Sequence, residues 1–483
     1  MEVTVTQQSP PPISLIKRFI FILFGLASLL GWNAIISELP FFTFYLKKMD
    51  PATSFPFLNY ALNIVLQFLM LYNRNLVPLK FRLIGGLISG TIIMIILPIT
   101  VLNMEMNSTG NVVLTGALIL IMGMVNALCS GGFFALVSFF PTNLMIAFSA
   151  GQGFSGVMMN IIQYIVLGCV HSGNRKKDLD KTAWIYFGIS AGCLFLILIL
   201  LLFQLQTDFF KYYLKPLNDR LKQEKEEKEK KKKEQENKKG EDKKEEETKE
   251  NKKEIAVSTE RDAQLNIKEN KTQTNNDTDK LDNKDANTLS VDKNTPVNNG
   301  PTPKKRRQIS FFEMFKILMD LDILRTYINF ISNTLFPKAG VTQSLFKLDK
   351  YKTVTILIIY NFTDFFGRYI VLAFKQTKLK TYIIALGRTV LIFLLIFNYY
   401  CEIGLKTNLN VTSVLLIIWV FTLGLTHGMG NSLCFVLAPT MVEDDLKLQA
   451  GSSMSFFTVF GLFLGSCLGF LTKFILEEID KKK

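Results

Sequence analysis

Histidine and cysteine are scarce in this chain, which has two histidines and six cysteines among 483 residues. All of the cysteines except Cys401 fall inside apolar runs, so neither a disulfide framework nor metal-ligand spacing is present. No nucleophile accompanies a base in a catalytic pattern. We therefore expect no enzyme activity, no bound metal and no cofactor.

A folded basic surface is also lacking, although the formal net charge is +14. The basic residues are concentrated in residues 215–308 and in short connections, and they form no basic face between aromatic residues. We therefore expect no nucleic-acid partner. Residues 215–308 contain almost nothing to bury, so burial cannot offset the entropy lost on ordering, and we expect disorder there.

Long apolar runs, in contrast, are abundant. Runs of about 20 residues, enough to cross a hydrocarbon core of roughly 30 Å, recur on both sides of this polar insert. Their lengths fit helices and not the roughly 10-residue strands of a membrane barrel. We predict an all-α polytopic membrane protein, a major-facilitator-like bundle of eleven transmembrane helices in halves of six and five. The predicted spans are 18–38, 56–73, 83–103, 112–138, 147–170, 184–205, 326–346, 354–374, 381–400, 411–437 and 452–475.

The spans divide the chain into five predicted regions. These are a cytoplasmic tail (1–17), helices 1 to 6 (18–206), a charged, largely disordered cytoplasmic loop with an amphipathic end (207–320), helices 7 to 11 (321–476) and an extracellular tail (477–483). The distribution of lysine and arginine is mixed but on balance favours this orientation.

Two surface features follow from that orientation. The sequons at Asn107 and Asn410 fall in outer connections and are candidate glycosylation sites. Lys304 to Arg307 form a basic run before an apolar segment, and we consider two interpretations of it, a contact with anionic lipid of the inner leaflet and a solvated tether.

An aspartate and an arginine interrupt one apolar run. Asp364 and Arg368 lie one helical turn apart in the span 354–374, where a charged side chain costs roughly 2.5–3.5 kcal/mol even on a lenient scale. Asn361 projects from the same side of the helix. That side should face an interior cavity. The alternative is a buried ion pair that only docks helices, although Gly367 would allow close approach of a ligand.

Other polar residues occur inside predicted spans, and each has a purely structural alternative. Gln152 lies in Gly-Gln-Gly, a match to a dinucleotide-binding loop that we reject because no βαβ unit surrounds it. Its amide is either a ligand contact or a contact between helices. Trp32, beside Asn33, is either an interfacial belt residue or a wall of the cavity. His427 is either a proton relay or a packing residue.

Together these residues resemble the equilibrative nucleoside transporter family. The motifs that carry the resemblance are Trp32-Asn33, Pro141 followed by Gln152, Pro337, Asn361-x-x-Asp364-x-x-Gly367-Arg368 and Ala450-Gly451. The resemblance covers nearly the whole membrane part but includes two departures. Gly31 stands where relatives usually have proline, and His427-Gly428 stands where they tend to have Asn-Gly, which puts gating and proton dependence in question.

The resemblance implies a carrier of nucleosides, with nucleobases as a second class, working by alternating access. We expect it in the plasma membrane. The resemblance also implies substrate-binding roles for Trp32, Asn33, Gln152, Asn361, Asp364 and Arg368, with Ile36, Leu462 and His427 as weaker candidates. A buried carboxylate beside an arginine should stay ionised, which favours facilitated diffusion over proton coupling. Two alternatives remain open, a major-facilitator-type carrier of sugars or other small solutes, and a non-transporting receptor or scaffold.

Overall fold

The computed structural model describes residues 11–73, 76–170, 174–219, 309–342, 345–346, 352–403 and 408–481, with scattered residues between 222 and 230. Side chains are described in these ranges except at 167, 335–342, 353, 395–396, 399–400, 402–403 and 470–481. The predicted lipid contact at Lys304 to Arg307 and most of the predicted loop 207–320 therefore lie outside the described residues.

The secondary structure in the described ranges is helical and includes no strand. Before the insert the helices are α1 Leu15–Ser37, α2 Leu39–Tyr45, α3 Pro51–Tyr72, α4 Leu79–Asn103, α5 Thr109–Val137, α6 Thr142–Cys169, α7 Arg175–Gln204 and α8 Asp208–Tyr213. After it they are α9 Phe311–Thr342, α10 Lys352–Ile370, α11 Lys378–Gly387, α12 Thr389–Ile403, α13 Leu409–Leu437 and α14 Lys447–Lys481. Short 3-10 segments lie at Val371–Ala373, Ala438–Met441 and Asp444–Leu446. Both sets of helices belong to one compact unit.

Nine helices in the described ranges are long and apolar enough to cross a membrane. The two remaining predicted spans, 326–346 and 381–400, do not each form a separate, continuous helix. The span 326–346 continues the amphipathic run before it, because α9 is a single helix from Phe311 to Thr342. The span 381–400 is interrupted at Arg388, between α11 and α12. The number eleven therefore stays a prediction, whereas the all-helical membrane fold is confirmed.

Capping residues fix where several helices begin. The Ser108 side chain accepts a hydrogen bond from the Asn111 backbone amide at 3.2 Å, which supplies a partner that the first turn of α5 otherwise lacks. Pro141 is the residue that precedes α6, and it cannot continue a hydrogen-bonded turn toward its N-terminal side. This start places Gln152 about three turns into α6, near its middle.

Glycines allow the central helices to cross closely. An added Cβ at Gly25 of α1 would collide with the carbonyl oxygen of Phe148 in α6. An added Cβ at Gly428 of α13 would collide in the same way with the carbonyl oxygen of Asp364 in α10. Small residues at such crossings let backbones pack at short range. The charged face of α10 is therefore held rigidly against α13.

The two halves meet where α6 packs on α10. A Cβ added at Gly153 would lie 2.8 Å from Cα of Phe365, and one added at Gly156 would lie 2.6 Å from the Asn361 amide oxygen. The glycines around Gln152 thus serve close helix packing, as the sequence suggested, and not nucleotide binding. This contact brings the polar positions of α6 and α10 to the same level of the bundle.

Candidate substrate-binding cavity

Polar helix faces from both halves surround a cavity of about 210 Å³. Four helices before the insert (α1, α3, α5 and α6) and four after it (α9, α10, α13 and α14) contribute to its lining. The predicted residues that line it are Trp32, Asn33, Gln152, Asn361, Asp364, Arg368, His427 and Leu462. Ile36 is half-buried farther along α1 and is not among the lining residues.

The Asp364 carboxylate lies between two nitrogen-containing side chains of its own half, Arg368 and His427. Oδ2 accepts a hydrogen bond from Arg368 Nε at 2.9 Å, and Oδ1 lies 2.8 Å from His427 Nδ1. The side chains of Asp364 and Arg368 are only 6% and 7% exposed, so water screens the pair little. The predicted ion pair is therefore present, and His427 joins it.

Arg368 also reaches the first half. Its Nη1 donates to Gln152 Oε1 at 3.1 Å, to the Ser149 carbonyl oxygen at 3.2 Å and to Ser149 Oγ at 3.3 Å. Ser149 Oγ in turn lies 2.7 Å from Ser432 Oγ of α13. One guanidinium thus bridges α6 and α10 and also lines the cavity, so it joins the two halves at the candidate site.

The α1 residues lie beside this bridge. Asn33 donates through Nδ2 to Ser155 Oγ at 2.5 Å, which ties α1 to α6. The Trp32 ring packs against Tyr60 of α3, with 5.5 Å between ring centroids, and Trp32 is only 9% exposed. A belt tryptophan would face lipid, so the burial of Trp32 favours its interpretation as a wall of the cavity.

A second polar cluster lines the cavity from α9 and α13. Asn329 donates through Nδ2 to the Arg325 carbonyl oxygen at 2.7 Å and to Asn431 Oδ1 at 2.9 Å. Arg325 donates through Nη1 to the Asn431 carbonyl oxygen at 2.6 Å and through Nε to Thr458 Oγ1. His427 Nε2 lies 3.3 Å from Asn329 Oδ1 and connects this cluster to Asp364.

The sequence interpretation missed this cluster. Arg325 stands one residue before the predicted span 326–346, so it was not counted as a charge inside the membrane. The available signal was the spacing of four that places Arg325 with Asn329, and His427 with Asn431, on single helix faces. Asn59, Asn63 and Asn126 of α3 and α5 also line the cavity, and each is an amide inside an apolar run.

Arg388 is a further buried arginine that the interpretation missed, but it lies outside the cavity lining. Its guanidinium donates to the Leu423 carbonyl oxygen at 3.0 Å, to Thr426 Oγ1 at 2.7 Å and to Ser332 Oγ. These contacts lie within the second half. Among the described residues, no group of three or more His, Cys, Asp or Glu side chains is placed to hold a metal ion.

The fold is similar to that of solved membrane carriers of the major facilitator type. The proton:xylose symporter XylE bound to 6-bromo-6-deoxy-D-glucose aligns with 96% of this chain and 94% of its own, with a TM-score of 0.54 and 13% identity. A partially occluded inward-open structure of XylE from E. coli aligns with 95% of this chain and 98% of its own at a TM-score of 0.50 and 13% identity. Such low identity shows the fold alone.

Sequence comparison gives the family. The family model described as "Nucleoside transporter" matches residues 116–474. Equilibrative nucleoside transporter 2 of Homo sapiens is 22% identical over 488 residues, which cover 94% of this chain and 96% of that protein. Equilibrative nucleoside transporter 3 of Rattus norvegicus is 29% identical over 182 residues, covering 36% of this chain and 37% of that protein. The chain belongs to the nucleoside transporter family and is a multi-pass membrane transporter, which confirms the resemblance.

Proposed function

We propose that the chain moves nucleosides, and nucleobases as a second class, through this cavity by alternating access between its two halves. The observation that carries the proposal is the Arg368 guanidinium, which joins Asp364 of its own half to Gln152 and Ser149 of the other. A solute that takes over these hydrogen bonds would compete with the contact between the halves. Binding and opening are coupled in this way.

The chemistry of the lining suits a nucleoside. Asp364 accepts and Arg368 donates, so adjacent ribose hydroxyls, which do both, can bind the pair. Gln152 offers an amide for the edge of the base, and Trp32 and Tyr60 supply an aromatic wall. The cavity of about 210 Å³ is smaller than the roughly 300–1,000 Å³ of pockets for drug-sized ligands, which favours a small solute.

We propose facilitated diffusion as the mode of transport. The Asp364 carboxylate has a permanently charged partner in Arg368 at 2.9 Å, so it does not need a proton to be accommodated in the bundle. A carrier without proton coupling moves its substrate down the concentration gradient of that substrate. Transport should then be unaffected by an imposed pH gradient.

We propose the plasma membrane as the location, with the connections at Asn107 and Asn410 outside. Asn410 is exposed in the first turn of α13. Asn107 is half-buried and accepts a hydrogen bond from the Lys48 backbone amide at 2.8 Å. Asn410 is therefore the more accessible of the two candidate glycosylation sites. Mobility on gels with and without glycosidase, for Asn410→Gln and Asn107→Gln, tests both.

Reconstitution tests the function directly. Purified protein in liposomes should take up labelled adenosine, uridine or hypoxanthine, with the same rate at symmetric pH and with a pH gradient. Uptake of glucose without nucleosides would favour the sugar-carrier alternative. A variant that lacks residues 225–300 should keep its uptake, whereas loss of function with normal insertion would favour a receptor or scaffold.

A further inference from the structure

Arg325 is a buried cation that does not pair with a carboxylate among the described residues. It is 2% exposed and lines the cavity from α9. Asp322, one turn earlier on α9, attracts Arg325 electrostatically but forms no ion pair with it, and it accepts a hydrogen bond from Ser453 Oγ at 3.1 and 3.3 Å. A buried charge is costly unless polar partners surround it. A ligand that carries hydrogen-bond acceptors would therefore lower the free-energy cost of burying Arg325.

The Arg325 guanidinium has donors left for such a ligand. Nε and Nη1 donate to Thr458 and to the Asn431 carbonyl oxygen, whereas the described part of the chain contains no hydrogen bond from Nη2. The Phe134 ring lies against the guanidinium, 5.1 Å from its carbon to the ring centroid. This cation–π contact and the two hydrogen bonds fix the guanidinium plane. Its free donors are thus oriented before a ligand binds.

A continuous set of polar contacts separates Arg325 from the charged pair of α10. From Asp364 it runs to His427 at 2.8 Å, from His427 to Asn329 at 3.3 Å, and from Asn329 to Asn431 at 2.9 Å. Arg325 follows at 2.6 Å from the Asn431 carbonyl oxygen. Arg325 and Arg368 therefore occupy different positions along the cavity. A nucleoside likewise has two polar ends, the ribose and the base.

We propose that Arg325 recognises the base and that the cavity prefers 6-oxopurine nucleosides to adenosine. This inference rests on the proposed function, in which Asp364 and Arg368 bind the ribose. A 6-oxopurine places two acceptors, O6 and N7, side by side, a pattern that arginine binds with two donors. Adenine has an amino group in place of O6, so its N–H would face the N–H groups of Arg325. One of these buried donors would then stay unpaired.

The test compares inosine with adenosine in liposomes that contain the purified protein. The wild type should transport inosine with a kcat/KM about fivefold or more above that of adenosine, the lower limit for one such pair. Arg325→Gln should bring this ratio close to one, mainly by raising the KM of inosine. Arg325→Lys, which keeps the charge but loses the planar donors, should give an intermediate ratio.

Arg388→Gln is the matched control, because it makes the same change at a buried arginine outside the cavity lining. It should affect both substrates equally and leave the ratio at its wild-type value. A ratio that Arg325→Gln leaves unchanged, or that Arg388→Gln lowers as strongly, would overturn the role of Arg325.

A measurement on the wild type alone covers the case in which the Arg325 variants do not fold. Inosine, unsubstituted purine riboside and adenosine compete with labelled uridine, and the order of inhibition should be inosine first and adenosine last. Equal inhibition by all three overturns the preference while leaving nucleoside transport intact. Failure to take up any nucleoside would overturn the proposed function, and this inference with it.

Discussion

The two halves give the cavity walls of different chemistry. From α1, α3, α5 and α6 come amides, a serine hydroxyl, and apolar or aromatic side chains, whereas the charged side chains of the lining come from α9 and α10 of the second half. These are Arg325, Asp364 and Arg368, which we call the charged wall; the lining residues of α1, α3, α5 and α6 form the neutral wall. Neutral amides donate or accept in several arrangements, whereas ionised groups form stronger and more directional contacts. We therefore expect the second half to contribute more than the first half to orienting a solute.

This difference has a consequence for movement between the halves. Asp364 pairs with Arg368 and His427 inside the second half. Among the described residues, the contacts of Arg368 with the first half are hydrogen bonds to neutral groups. Separation of the halves then breaks hydrogen bonds and leaves the carboxylate paired. Breaking a buried ion pair would cost about 3–5 kcal/mol, which would slow each transport cycle.

The strongest test of this comparison is Asp364→Asn. The substitution keeps the shape of the side chain but leaves Arg368 buried without its carboxylate. Removing one partner of a buried, hydrogen-bonded charge pair typically costs 2–5 kcal/mol, so we expect kcat/KM for nucleoside uptake to fall by about 30-fold or more. Uptake should be measured per molecule of protein inserted in the liposome membrane.

Asp208→Asn is the control for that variant. It removes a carboxylate that is fully exposed and pairs with Lys211 at 3.4 Å, a contact of little energetic weight. Uptake should match the wild type. Normal uptake by well-expressed Asp364→Asn would show that the charged wall does not orient the solute.

Gly428→Ala tests the close crossing of α13 and α10, which holds Asp364 and Arg368 in place. The added Cβ meets the carbonyl oxygen of Asp364, so we expect a loss of about 1–3 kcal/mol in stability, the range for overpacking. Gly188→Ala in α7 is the matched change, because no heavy atom lies within 4 Å of its added Cβ. Thermal unfolding in detergent should show a lower Tm for the first variant and an unchanged or higher Tm for the second. Equal Tm values would indicate that α10 and α13 are not rigidly packed.

Gln152→Ala tests the neutral wall. Arg368 would lose one acceptor but keep Asp364 and both oxygens of Ser149, so the expected loss is about 1 kcal/mol, or roughly a fivefold rise in KM. Initial uptake rates over a range of nucleoside concentrations measure it. A loss as large as that of Asp364→Asn would mean that the two walls contribute equally, which contradicts the comparison.

The sequence predicts Asp364 and Arg368 better than the asparagines of α3 and α5, for a physical reason. Asp364 and Arg368 stand out because charge inside an apolar run is costly, so their position alone indicates a cavity. The asparagines at 59, 63 and 126 cost less, and an amide inside a membrane helix is often only a contact between helices. Their convergence on one cavity depends on helix packing, which the sequence alone does not supply.

Arg325 was missed because span boundaries are uncertain by a few residues, and it lies just outside a predicted span. Arg388 lies inside the predicted span 381–400, where a lone arginine without a polar neighbour on its helix face does not indicate the break between α11 and α12. Ile36 is half-buried on α1 and is not among the lining residues, so its site role stays a prediction.

Ile36 provides the smallest expected effect and a measure of where the cavity ends. Ile36→Ala should leave the KM within about twofold of wild type, because apolar area away from the solute does not contribute to binding. Leu462→Ala, a similar truncation inside the lining of α14, should raise the KM by a larger factor. Since α1 belongs to the neutral wall, a larger effect at Ile36 than at Leu462 would extend that wall one turn beyond Asn33. The solute would then contact the first half over more of its length than the cavity lining indicates.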